Sequence, residues 1–281
     1  MSLTDLQFTI LGSGTSSGVP IIGCTCAVCT STDPRDSRLR ASAVLRFTDT
    51  ANLPRTILLD TSPDLRAQAL RHHLTRCDAI VYTHNHVDHT FGLDEVRRFN
   101  ALMDAPIEIY ADLHTHEHLK RVFKHIFDRR NNVNDSFVAS LIPHLITPPK
   151  HFDLLGLRFT PLNLLHGKLP VLGFRIEALD PAGNIAALQP APLPLAYCTD
   201  VSAIPPETWP LLTNLNTLVL DMLRFRHHPT HFTVDQAIDA ASRIGAQRTL
   251  FTHMTHDISH ASLDPQLPPT MNLAYDGLTI P

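Results

Sequence analysis

No uninterrupted apolar run in this chain approaches the roughly 18 residues of a helical membrane span, and residues 1–11 lack the basic segment and apolar core of a secretory leader. These absences predict a cytoplasmic protein without a membrane partner. Positive charge is also in short supply: 23 Lys and Arg against 27 Asp and Glu give a formal net charge of -4. That balance offers no global attraction to nucleic acid or an anionic lipid surface, so any recognition of phosphate must be local to a site. Cysteine is sparse and odd in number, five in 281 residues, which argues against a disulfide framework. The Gly-rich stretch at 12–20 is spaced GxGxxxG, with no Gly-Lys-Ser/Thr and no helix pattern after it, and a nucleotide-binding loop is excluded. A tight turn bringing backbone amides near an active site stays open there. No linker or internal boundary interrupts the chain.

What is present begins with an ordinary globular composition, 43% hydrophobic and 18% charged, together with 18 histidines. Three histidines and a carboxylate fall within six residues in Thr83-His84-Asn85-His86-Val87-Asp88-His89, directly after the apolar run Ala79-Ile80-Val81-Tyr82. The run reads as a buried strand emptying into a loop. Nitrogen and oxygen donors at this density predict a metal site, whereas a solvated turn would favour Gly, Pro, Asn and Ser.

A second concentration is Gly23-Cys24-Thr25-Cys26-Ala27-Val28-Cys29. The CxCxxC spacing lets three thiolates converge on one zinc, which needs a fourth ligand from elsewhere. A redox CxxC would open a helix in a thioredoxin-like unit, and no such unit surrounds it. Cys77 and Cys198 stand alone in apolar sequence and read as small buried hydrophobes.

Strands are predicted at 6–11, 42–47, 55–60, 79–82, 107–110, 157–165, 171–179, 195–198, 217–221 and 249–252. Helices are predicted from Ser62-Pro63 to about His72, over 92–103, over 112–127, and after the capping box Thr233-Val234-Asp235-Gln236. Asp60, Asp200 and Asp221 end apolar strands, and Asp60 could orient metal ligands. In the 112–127 helix, His114, His116, His118 and His125 lie among Glu117, Lys120, Arg121 and Lys124, which reads as a solvated face and not a ligand set. The basic run at 120–130 could help attract an anionic substrate, and 180–194 is a Pro/Ala-rich loop. The order of elements fits one layered α/β domain over 1–281.

With the HxHxDH of His84 to His89, the isolated His166, Asp200 after a strand and His253 after the last predicted strand, the chain resembles the metallo-β-lactamase superfamily of binuclear hydrolases. The resemblance implies a four-layer αββα sandwich. It also implies that His84, His86 and His166 hold one divalent metal, that Asp88, His89 and His253 hold a second, and that Asp200 bridges them. Zinc and manganese both suit such ligands, and a shared hydroxide is a nucleophile at neutral pH. Aspartate at 200, where zinc β-lactamases have cysteine, disfavours antibiotic hydrolysis.

Gly12 through Pro20, the GCxCxxC at 23–29 and His253-Met254-Thr255-His256 are similar to the PhnP-type phosphodiesterases of the carbon-phosphorus lyase pathway. That similarity implies a structural zinc held by Cys24, Cys26, Cys29 and His256 in a loop at 23–30. It further implies a small cyclic phosphate diester of the 5-phosphoribosyl 1,2-cyclic phosphate type as substrate, with Asp88 and Asp200 in the catalytic centre. His231 would sit against the phosphate, with His227 and His228 as neighbours that could be mistaken for it, and a homodimer is implied. The basic helix and the Pro/Ala loop find no match there. A pyrroloquinoline-quinone biosynthesis protein of the superfamily shares the CxCxxC start but not an intact HxHxDH. The rivals are a transfer-RNA 3′-end endonuclease, a glyoxalase-type thioester hydrolase and, outside enzymes, a metal-stabilised protein that binds a phosphorylated ligand without cleaving it.

Overall fold

A computed structural model describes residues 3–128 and 137–281; Met1, Ser2 and the Arg129 and Arg130 of the basic run lie outside them. The chain builds two seven-stranded sheets. The first contains β1 (Thr4–Gly12), β2 (Ser42–Thr48), β3 (Pro54–Leu59), β4 (Ala79–Val81), β5 (Ile107–Ala111), β6 (Leu141–Leu145) and β14 (Thr279–Ile280), in the order β14-β1-β2-β3-β4-β5-β6. The second contains β7 (Phe152–Leu154), β8 (Leu157–His166), β9 (Leu169–Ala178), β10 (Leu195–Cys198), β11 (Thr217–Asp221), β12 (Arg248–Thr252) and β13 (Met271–Leu273), in the order β13-β12-β11-β10-β9-β8-β7.

The period-2 alternation of a strand sends neighbouring side chains to opposite faces, and here both faces are covered. Ala43, Leu45 and Phe47 of β2, Ile57 and Leu59 of β3, and Leu195 and Tyr197 of β10 meet in one core between the sheets. Val44, Leu58 and Ile80 turn outward and pack with Leu65, Phe99 and Leu119, beneath α1 (Leu65–Arg71), α3 (Arg97–Met103) and α4 (Leu113–Val122). Ala196, Cys198, Leu218 and Leu220 pack against α6 (Val234–Ile244) on the far side of the second sheet. Two sheets face to face with helices on both outer faces make the αββα sandwich, and double coverage is why 79–82 reads as a continuous apolar run. No helix among the described residues is long and apolar enough to cross a membrane.

Local differences from the sequence expectation have identifiable causes. The first helix starts at Leu65, not Pro63, because Ser62 Oγ accepts from the Asp64 amide and Arg40 binds the Asp64 carboxylate, which makes 62–64 a turn. The predicted 92–103 helix is preceded by α2 (Val87–Thr90) and opens with a 3-10 turn at Leu93–Val96. Gly92 there lies so close to Ser62 that a Cβ would meet its carbonyl oxygen at 2.1 Å. The 112–127 helix breaks at the buried Phe123 into α4 and α5 (Lys124–Phe127). Strands β6, β7, β13 and β14 escaped the sequence reading because they are short or Pro-interrupted pieces at or near sheet ends. In the 12–20 turn the amides of Ser13, Gly14 and Thr15 are already engaged, donating to Asp276, Leu39 O and Met254 O.

Topology places the chemistry. Strands β3, β4, β5 and β6 are parallel; β10, β11, β12 and β13 are parallel; and β8, antiparallel to β9 as β10 is, runs with the latter set. Asp60, His84, His166, Asp200, Asp221 and His253 all occur at or just beyond the carboxyl ends of these strands. The two sheets are joined at that end where the Leu172 amide donates to Thr83 O at 2.9 Å.

Candidate metal centre

Three residues of this edge adopt the left-handed backbone region that non-glycine residues rarely enter: Asp60 (φ 61°), Asp200 (φ 59°) and His253 (φ 63°). Each conformation costs on the order of 1 kcal/mol and turns the chain sharply as the strand ends, aiming the side chain across the gap between the sheets. Strain repeated at three strand ends that face one another marks a site.

Four of the imidazoles, those of His84, His89, His166 and His231, share one arrangement, with Nδ1 tied to the protein. His84 Nδ1 meets Thr83 Oγ1 at 3.0 Å, His89 Nδ1 donates to Asp60 Oδ2 at 2.8 Å, and His166 Nδ1 donates to Thr230 O at 2.7 Å. His231 Nδ1 donates to Asp221 at 3.2 Å. The opposite nitrogens converge. His89 Nε2 lies 3.1 Å and His253 Nε2 3.3 Å from Asp200, while Asp88 is 3.4 Å and 3.6 Å from the same two nitrogens. His84 Nε2 stands 4.0 Å from Asp200. The Nε2 atoms of His84, His89 and His253 are buried with no hydrogen-bond partner. A buried nitrogen without a partner costs about 1–3 kcal/mol, so several pointing at one place require something there.

Charge gives the same answer. Burial disfavours the charged form and holds the pKa of His84, His86 and His166 below the usual imidazole value. Burial acts the same way on His89, but the Asp200, Asp88 and Asp60 carboxylates outweigh it and raise that pKa. Burial would raise Asp200 and Asp88, yet the facing imidazoles hold both below the ordinary carboxylate range. Buried carboxylates ringed by imidazole nitrogens are a cation-binding set. Four groups of donor atoms close enough to share an ion fall here: His84, His89 and Asp200; His86, His166 and Asp200; Asp88, His89 and His253; and Asp200, His231 and His253. Asp200 enters three of them, and His84 lies between the two halves, its ring 4.6 Å from His86 and 4.3 Å from His89.

A separate donor group gathers Cys24, Cys26, Cys29 and His256, with the three Sγ atoms 3.2, 3.5 and 3.4 Å from His256 Nδ1. A tetrahedral zinc with bonds of about 2.3 Å to sulfur and 2.0–2.1 Å to nitrogen sets an S···N edge of roughly 3.6 Å. The pocket is of that size. The backbone N–H of Cys29 donates to Cys26 Sγ, and this hydrogen bond heads the causes that lower the Cys26 thiol to about 7. By contrast Cys77 and Cys198 are wholly buried, and burial lifts the Cys198 thiol to about 12.

All residues singled out for chemistry meet in one of these two clusters. Of the three histidines at 227–231, His231 is the buried one and stacks 4.8 Å from His253, while His227 is exposed and His228 turns to Thr230. Asp60 takes the orienting place its strand-end position suggested. The sequence reading missed the role of Asp221, which lies 3.6 Å from His253 Nδ1 as well as holding His231. Its signal was the repeat of the pattern around Asp200, an apolar strand ending in an acid. Arg38 was missed altogether: it is buried, pairs with Asp36 at 3.0 Å, and donates to Thr255 O and Ile258 O around the turn that carries His253 and His256.

A family model described as Beta-lactamase superfamily domain matches residues 55–254. A Porphyromonas gingivalis protein named octanoyltransferase is 34% identical over 278 residues, 97% of this chain but 51% of that protein, so the chain spans about half the length of this relative. Among solved structures, one titled a new diphosphatase from the PhnP family superposes with a TM-score of 0.83 at 38% identity, over 99% of this chain and 97% of its own. The short form of human tRNase Z superposes with a TM-score of 0.66 at 19% identity, over 98% of both chains, a likeness of fold.

Proposed function

The chain belongs to the β-lactamase superfamily, and from that premise we propose that it is a metal-dependent phosphodiesterase acting on a small cyclic phosphate diester of the phosphoribosyl type. The observation that supports this reading most is the ring of buried, partnerless Nε2 atoms around Asp88 and Asp200. His84, His86 and His166 would hold one divalent cation and Asp88, His89 and His253 the other, with Asp200 between them. Cys24, Cys26, Cys29 and His256 would hold a structural zinc. Both sheets supply ligands, so neither half could form the centre alone, which favours reading 1–281 as one domain.

Bound there, two divalent cations would acidify a water into a nucleophile near neutral pH and neutralise charge on the phosphate. The chain's own residues do the rest. Asp60, Thr83 and Thr230 fix the ligand rings in one tautomer and orientation. Asp221 accepts from His231 Nδ1 and leaves Nε2 as the atom that hydrogen-bonds a phosphate oxygen or returns a proton to the departing alkoxide. Aspartate at 200 supplies two oxygens where a cysteine would supply one sulfur. The PhnP-family neighbour, 38% identical along nearly the whole chain, supports phosphorus chemistry over the thioester reading.

The test is a panel of cyclic phosphoribose, cyclic nucleotides, a precursor transfer RNA and a glutathione thioester, offered to metal-replete protein. Turnover of the cyclic sugar phosphate, abolished with loss of metal in Asp200→Ala, is the expected result. Exclusive cleavage of the transfer RNA or the thioester, or full activity in Asp200→Ala, would overturn the reading.

A further inference from the structure

The histidines of α4 and α5 read from sequence as a solvated face, and for two of them the structure gives a plain account. His116 is buried and its Nε2 donates to His144 O at 2.8 Å; His125 pairs with Asp94 at 2.9 Å. His114 and His118 are different. With Asn85, Glu117 and Arg121 they line a cavity of about 230 Å³. Asn85 is the residue between His84 and His86 in the metal loop, and its Nδ2 lies 3.3 Å from His114 Nε2. The cavity therefore begins one residue from the candidate metal ligands.

Its donors have a common character. The Arg121 guanidinium, which can only donate, lies 3.5 Å from His118 Nδ1. That orientation leaves the His118 proton on Nε2, an atom that is buried and has no partner. Among the described residues, His114, Glu117 and His118 do not converge as a metal-ligand group, which sets the site apart from the two metal clusters. A guanidinium, an imidazole and an amide lining one cavity suit an oxyanion. Glu117 on the same wall would repel a bare anion and accept hydrogen bonds from hydroxyl groups. A phosphorylated sugar offers both features.

We propose that the cavity between Asn85 and α4 is a substrate subsite that binds the second, non-reacting phosphate of a phosphorylated sugar diester while the diester lies at the metal centre. The proposal rests on the phosphodiesterase reading for its substrate class. Arg121 grips the phosphate, His118 Nε2 and Asn85 Nδ2 complete the oxyanion contacts, and Glu117 takes a ring hydroxyl.

The test compares metal-loaded wild type, Arg121→Ala and His118→Ala at low salt on ribose 1,2-cyclic phosphate with and without a 5-phosphate. Both variants should lower the ratio of kcat/KM for the phosphorylated over the unphosphorylated substrate about tenfold, through KM. Equal loss on both substrates would show a disturbance of the metal loop and overturn the subsite, as would an unchanged ratio. Calorimetric titration with ribose 5-phosphate is the independent arm: wild type should bind it about tenfold more tightly than Arg121→Ala, with inorganic phosphate unaffected by the substitution. No binding by wild type, equal binding by the variant, or an effect confined to inorganic phosphate or precursor transfer RNA would overturn the proposal. If wild type cleaves neither diester, the function reading fails and the titration alone decides the subsite.

Discussion

The Asp60 carboxylate lies 2.8 Å from Nδ1 of His89, and neither side chain has any exposed surface. The second carboxylate oxygen accepts the Thr83 amide at 2.8 Å, and Thr83 in turn contacts His84 Nδ1. One buried acid after β3 thus orients two imidazoles after β4. Orienting partners of this kind change metal affinity about 10- to 100-fold. Asp60→Ala should weaken metal binding by that factor and lower turnover with it, measured by competition with a chromogenic chelator. Undiminished affinity would show that packing alone holds the rings.

Arg38 ties two distant parts of the chain. Its guanidinium is buried, pairs with Asp36, and binds the carbonyls of Thr255 and Ile258. Arg38→Met would leave Asp36 as an unpaired buried charge, a loss of about 3–5 kcal/mol. The turn from His253 to His256 should loosen with it. Urea unfolding at fixed metal concentration should show the lost stability, and zinc retention on dialysis should fall. A variant that keeps its zinc through dialysis would confine Arg38 to a purely local role.

The cysteines should sort by site. Cys24, Cys26 and Cys29 are partly exposed, whereas Cys77 and Cys198 are buried among apolar side chains. Before chelation, none of the five should react quickly with a thiol reagent. A strong chelator should release Cys24, Cys26 and Cys29 to fast modification while Cys77 and Cys198 wait for unfolding. Peptide mapping that finds Cys24, Cys26 and Cys29 equally fast without chelator would remove the zinc site.

Asp276 gives a pH prediction. Its side chain is 3% exposed, and burial raises its pKa from 3.8 to about 6 against the donors Leu39 N and Ser13. A carboxyl whose folded pKa is raised binds more protons in the folded state between those values, so stability falls as pH rises from about 4 to about 6. The size is on the order of 2–3 kcal/mol. Asp276→Asn cannot ionise and should show a flatter profile, displaced by a pH-independent cost where its amide faces the Leu39 N–H. The wild-type advantage in denaturant midpoint should therefore shrink from pH 4 to pH 7; a constant or growing advantage contradicts the assignment.

Much of the fold was legible because burial on both faces leaves apolar runs such as 79–82, and because strand ends are marked by acids and turn residues. The capping box at Thr233 and the strand at Leu195–Cys198 lie where their local patterns placed them. The short edge strands were illegible because a three-residue strand has too few positions to show a period. Within the site, the donor types at 84–89 and 23–29 were readable from residue type and spacing, whereas His166, Asp200, His253 and His256 entered only through the resemblance to the superfamily.

Only the tertiary structure decided which atoms face inward. The sequence by itself determined that His84, His86, Asp88 and His89 would share one loop, but a loop can turn either nitrogen of a ring to either side. Packing two sheets face to face brought Asp60, Thr83, Thr230 and Asp221 behind the rings and left their Nε2 atoms to converge. The same packing set α4 against Asn85 and turned His114 and His118, two residues with the look of a solvated surface, toward a cavity beside the metal loop. The donor types are local and lie in the sequence; their orientation depends on contacts between residues far apart in the chain, which no short pattern encodes.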